Sequence, residues 1–135
     1  MSSVRMMLIA AMAAFLLSAC TGTGTGGGFL QGIFQPGPAE QKLSSGVKYY
    51  EEGDYKSSAE ALQSALDIGL KKKSDHASAH KYLAFIHCVS KREKQCREAF
   101  KSALEVDPDF ELKPEEAGHP VWGPVFRSVK AQPAK

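Results

Sequence analysis

From residue 39 onward the apolar side chains return at the period of an α-helix, and they do so in two successive cycles. Leu43, Val47 and Tyr50 recur at i, i+4, i+7, and Ala59, Leu62, Ala65, Leu66 and Leu70 keep the same spacing. Between these runs stands Glu52-Gly53-Asp54-Tyr55. Gly53 can take the positive φ of a helix end, and Asp54 suits the N-cap of the next helix. That helix is expected to end near Gly69, where Lys71, Lys72 and Lys73 complement the negative end of its dipole. A second cycle is expected to start after Ser74-Asp75, read as a capping pair, with Tyr82, Leu83, Phe85 and Ile86 in one helix. Ser90-Lys91-Arg92-Glu93 has capping-box spacing and opens the next. Ala99, Phe100, Ala103, Leu104 and Val106 continue it until Asp107-Pro108. Helices that each carry one apolar stripe must stack those stripes together, so the fold class is all-α.

Residues 39–72 and 77–110 align at an offset of 38, the mark of a helical repeat. Gly53-Asp54-Tyr55 and Ala65-Leu66 in the first unit, with Leu83-Ala84, Phe100, Ala103-Leu104 and Asp107-Pro108 in the second, resemble the tetratricopeptide (TPR) pattern. Small residues, Gly46 or Ala84 in the first helix and Ser58 or Cys96 in the second, let two helices approach closely. A bulky residue, Leu62 or Phe100, then fills the core. The sequence departs from the family at Lys42 and His80, where an aromatic is usual, and by the inserted residues 73–76. Two repeats are fewer than a stable solenoid needs, so a cap is expected. Val121, Trp122, Val125, Phe126 and Val129 form the stripe of a capping helix that begins near Pro124.

The beginning of the chain carries a different message. Arg5 gives a positive n-region, residues 6–17 an apolar h-region, and Leu17-Ser18-Ala19-Cys20 a small-residue cleavage site. The apolar stretch falls short of the roughly twenty residues that a membrane-spanning helix needs. The run resembles the lipobox of bacterial lipoproteins. That resemblance implies cleavage before Cys20 and attachment of diacylglycerol and an N-acyl chain to Cys20. With Thr21 next, in place of the aspartate that retains such proteins in the inner membrane, it implies the outer membrane, facing the periplasm. Residues 20–38, rich in Gly and Thr and ending in Pro36-Gly37-Pro38, read as a tether averaging roughly 20–25 Å end to end. Phe29, Leu30, Ile33 and Phe34 interrupt it with apolar side chains. The domain organisation is thus a signal peptide over 1–19, the tether over 20–38, two TPR-like hairpins over 39–110 and a C-terminal cap and tail over 111–135. The string from Phe110 to Phe126, taken with the lipobox and the short repeat body, resembles lipoproteins associated with type VI secretion (TssQ-like).

Chemistry is sparse. Lys and Arg number 17 against 15 Asp and Glu, a net charge of +2, and only Lys71-Lys72-Lys73 is concentrated, so no nucleic-acid partner is expected. Cys88 and Cys96 stand nearly symmetrically about the turn of the second hairpin. Antiparallel packing should bring them within disulfide reach in an oxidising compartment, with two buried thiols as the alternative. His76, His80 and His87 share a helical face, but His80 and His87 would lie about 10 Å apart along it, too far for one zinc. No metal is assigned, and a metal-handling or redox protein stands as an alternative. There is no GxSxG, phosphate loop or Cys-His pair with an orienting carboxylate, so no catalytic residue is assigned and no enzyme or small-molecule substrate is expected. Glu51-Glu52 and Glu115-Glu116 read as solvated faces or first-turn charges.

What remains is surface. The TPR resemblance implies that the first helices of the hairpins line a groove showing Leu43, Val47, Tyr50, Lys81, Phe85 and Val89, with Trp122 as a further anchor if exposed. Such a face suits a peptide segment of a protein partner in the cell envelope, and the competing occupant is the chain's own tether or tail. The expected function is an adaptor or scaffold at the outer membrane, an accessory of a type VI secretion membrane complex by resemblance. A general envelope-assembly or cell-wall cofactor is the other adaptor reading.

Overall fold

The computed structural model describes residues 35–132. The expected signal peptide, the expected lipidation site Cys20 and the apolar residues Phe29, Leu30, Ile33 and Phe34 of the expected tether lie outside the described residues. The described chain is all-helical, as the periodicity requires: α1 (Pro38–Glu51), α2 (Tyr55–Ile68), α3 (Lys73–Val89), α4 (Glu93–Val106), α5 (Pro114–Ala117) and α6 (Gly123–Lys130). Among the described residues no helix is long and apolar enough to cross a membrane.

Local signals set the first hairpin. Pro38 sits in the first turn of α1, where its missing N–H would have had no partner. Gly53 takes φ 81° and Gly69 φ 99°, each closing a helix where a side chain would strain the backbone. The Asp54 carboxylate accepts the Ser57 N–H at 3.1 Å and caps α2. The second hairpin departs from the expected caps. Helix α3 starts at Lys73, leaving Asp75 inside its first turn, beside the positive dipole end. The turn before it is fastened instead by His76 Nε2 on the Leu70 carbonyl at 2.7 Å and by Lys73 Nζ on Asp107 at 3.1 Å. Ser90 does not open α4; it ends α3, its N–H bonded to the Ile86 carbonyl. Lys91 then turns left-handed at φ 59°, and the Arg92 N–H reaches back to the His87 carbonyl at 2.9 Å. Backbone closure of this kind displaces the capping box.

The hairpins close on small residues. Ser58 Oγ donates to the Gly46 carbonyl across the first hairpin at 2.7 Å, and Ser58 is fully buried. A Cβ on Gly46 would come within 2.7 Å of Leu62 Cγ and 3.2 Å of the Leu62 backbone nitrogen. Gly46→Val is therefore expected to lower the stability of the domain by about 1–3 kcal/mol, read as a shift in urea midpoint with unchanged slope. At the matching position of the second hairpin Cys96 is fully buried and faces Cys88, their Cα atoms 5.1 Å apart and their sulfurs at bonding distance. The bond spans a sequence separation of 8. Reduction of the oxidised protein is expected to cost about 2–3 kcal/mol by loss of that constraint on the unfolded chain, measured by denaturation with and without reductant.

The C-terminal segment completes the core. Trp122, Phe126 and Val129 are buried with Ala84, Phe85, Cys96 and Phe100, while Val121, the first member of the expected stripe, is exposed. Phe126 meets Phe100 edge-on at 5.3 Å. Helix α6 caps α4, as the stripe predicts. Val121 and Val125 lie beside Lys91 and Glu93 at the α3–α4 turn. Lys130 at the other end donates to the Phe110 carbonyl at 3.1 Å and pairs with Glu111. Helix α6 therefore runs in the same direction as α4, and residues 111–122 must climb back across α3 to reach its start.

Candidate functional site

The expected groove is built from the faces of α1 and α3, and residues 111–122 lie on part of it. Leu43, Val47 and Tyr50 are half-buried on α1. Lys81 and Phe85 on α3 are buried, as is Trp122. These last three are therefore not an open binding surface, and Trp122 is no exposed anchor: the climbing segment covers them. The indole of Trp122 stacks on Phe85 with centroids 4.3 Å apart and planes 22° from parallel. Its Nε1 donates to the Glu116 carbonyl at 2.9 Å, and His119 stacks against the same indole.

Glu116 joins the segment to α3. Lys81 Nζ donates to its Oε1 at 2.6 Å, with only 8% and 15% of the two side chains exposed. The second oxygen, Oε2, accepts the Lys113 N–H at 3.0 Å, closing the first turn of α5. The same ammonium stands 4.5 Å over the Tyr82 ring and 5.6 Å over Phe85. Of the two readings of Glu116, the first-turn charge holds and the solvated face does not, since its carboxylate is paired and largely buried. A lysine on an otherwise apolar helical stripe needs an anionic partner if it is buried.

Around this pair lies a cluster of tyrosines. The Tyr50 ring is 5.6 Å from Tyr55 and 5.1 Å from Tyr82. Burial, followed by its neighbours Tyr55, Tyr82 and Glu116, pushes the Tyr50 phenol up to about 12. Tyr82 is raised by burial and then by the charges of Glu116 and Glu51. Both phenols thus stay neutral and able to donate at physiological pH. Tyr55 keeps 40% of its surface exposed.

The histidines take separate places. His76 is spent on the Leu70 carbonyl. Burial and the neighbouring His76 hold the His80 imidazole below its usual value, Glu105 acting the other way. Burial, then Arg92, lowers His87, whose Nδ1 is buried without a hydrogen-bond partner among the described residues. Among the described residues no group of three or more His, Cys, Asp or Glu side chains is placed to hold a metal ion. No protein-family model, curated protein or solved structure matches the chain.

Proposed function

We propose that the protein is a non-enzymatic adaptor, lipidated at Cys20, held at the periplasmic face of the outer membrane, and binding a protein partner through the groove face of its two TPR-like hairpins. The observation that carries this reading is the division of that face. Its α3 half is filled by the chain's own C-terminal segment through Trp122 and Glu116, while Tyr50, Tyr55 and Tyr82 beside it stay partly accessible. A face of helices with accessible aromatics on a rigid core suits peptide recognition, where a few fixed aromatic side chains supply most of the binding energy. The Cys88–Cys96 pair at bonding distance suits an oxidising compartment. By its resemblance to TssQ-like lipoproteins, the partner belongs to the envelope-spanning part of a type VI secretion machine.

Affinity capture from crosslinked native membranes tests this reading, with the lipidated protein and a Cys20→Ser version side by side. Secretion-complex components enriched by the wild type, and lost or weakened without the anchor, are the expected result. Enrichment of cell-wall or outer-membrane assembly proteins instead would keep the adaptor and discard the secretion assignment. Equal recovery of nothing by both versions would discard the adaptor.

A further inference from the structure

We propose that the open part of the groove, where Tyr50, Tyr55 and Tyr82 meet, binds a basic segment of the partner and seats an arginine or lysine side chain against the tyrosine rings. This deepens the adaptor reading and rests on it.

Three observations point to a cation. The rings come from three helices and lie at 40° and 63° to the central Tyr50, so they present faces in more than one direction. A guanidinium or ammonium over such faces is attracted by the ring quadrupoles. Second, the cluster already holds one cation from within, Lys81 at 4.5 Å from the Tyr82 centroid. Glu116 neutralises that internal charge, so it does not repel a second one as a bare lysine would. Third, the rim is acidic and unspent. Glu51, which directly follows Tyr50 at the end of α1 and whose charge helps raise the Tyr82 phenol, takes part in no ion pair among the described residues. An acidic segment would meet the Glu51 carboxylate, whereas a basic one gains both the rings and that charge. Along α1, half-buried Val47 and Leu43 continue the face for apolar side chains flanking the cation.

The test is fluorescence anisotropy with the detergent-solubilised lipidated protein at about 0.15 M salt, where exposed charge attraction is screened beyond roughly 8 Å. The probe is a labelled peptide with arginines spaced by Gly-Ser, beside versions carrying glutamine or glutamate in place of arginine. Saturable binding of the arginine peptide alone is expected. Tyr55→Ala, at an exposed ring whose loss leaves the core intact, should weaken it by about five- to tenfold. Tyr55→Phe should retain binding, and Glu51→Gln should weaken it severalfold. Glu98→Gln, on α4 and paired there with Lys94, should leave it unchanged. Equal binding of the arginine and glutamine peptides, preference for glutamate, or indifference to Tyr55→Ala would each overturn the proposal. So would absence of binding at millimolar peptide. None of these results bears on membrane capture, which tests the adaptor reading by its own readout.

Discussion

Glu116→Ala is expected to destabilise the domain by about 3–5 kcal/mol, far more than loss of a surface ion pair, because it strands the Lys81 ammonium in the core. Only 8% of the Lys81 side chain is exposed, and Glu116 is the carboxylate paired with it. The substitution also frees the Lys113 N–H that Oε2 accepts, so α5 should loosen first. Lys81→Met should cost less, since Glu116 lies nearer the surface and can recover water. The double variant, Lys81→Met with Glu116→Leu, should recover most of the loss, as replacement of a buried pair by apolar groups is often near neutral. Urea unfolding followed by circular dichroism of the wild type, Lys81→Met, Glu116→Leu and the double variant closes the cycle and gives the coupling directly. Additive losses would show that the two side chains do not depend on each other.

Trp122→Ala is expected to cost a similar 3–5 kcal/mol for a different reason. The indole bridges two layers, stacked on Phe85 of α3 and bonded through Nε1 to the Glu116 carbonyl. Truncation opens a cavity between α3 and α6 that neither can close, since Phe85, Phe100 and Phe126 are already packed on one another. Trp122→Phe keeps the stacking and loses one hydrogen bond to the Glu116 carbonyl, which still accepts the His119 N–H at 3.1 Å, so only about 0.5–1.5 kcal/mol is expected. Melting temperature by circular dichroism reads both variants, because Trp122 is the single tryptophan and its fluorescence disappears with it. A shift of about 4–8 °C per kcal/mol applies to a domain of this size. An unchanged melting temperature in Trp122→Ala would mean that the indole lies outside the core.

The two hairpins were legible because their determinants are local. Helical period, the glycines at the turns and the Asp54 cap each act within a few residues. The offset of 38 matched Gly46 with Ala84, Ser58 with Cys96 and Leu62 with Phe100, and the near-symmetry of Cys88 and Cys96 about the second turn put them within reach of each other. The caps of α3 and α4 were misread because Ser and Asp mark a helix start only when no stronger closure competes. Here Lys91 and backbone bonds decide the α3–α4 turn. The largest departure concerns the groove. The TPR resemblance implied a face with Phe85 and Lys81, and the apolar stripe included Trp122, but neither could say that the face and the indole cover each other. That contact joins residues separated by 35 positions in the case of Lys81 and Glu116, and it depends on the chain climbing back between α4 and α6. A buried lysine demanding a carboxylate is the one sequence clue that could have found it.

The central claim is that residues 111–122 are a packed layer of the domain covering α3, which leaves the tyrosine cluster as the open part of the groove. Hydrogen exchange of the full-length protein at neutral pH tests it most directly. The amides of Ala117, Gly123 and Phe126 are bonded to the carbonyls of Lys113, His119 and Trp122. They should be protected, and those of Gly123 and Phe126 should open together with α3 and α4. Complete exchange of residues 111–130 within seconds, while α3 and α4 stay protected, would contradict the account and return Phe85 and Lys81 to an open groove.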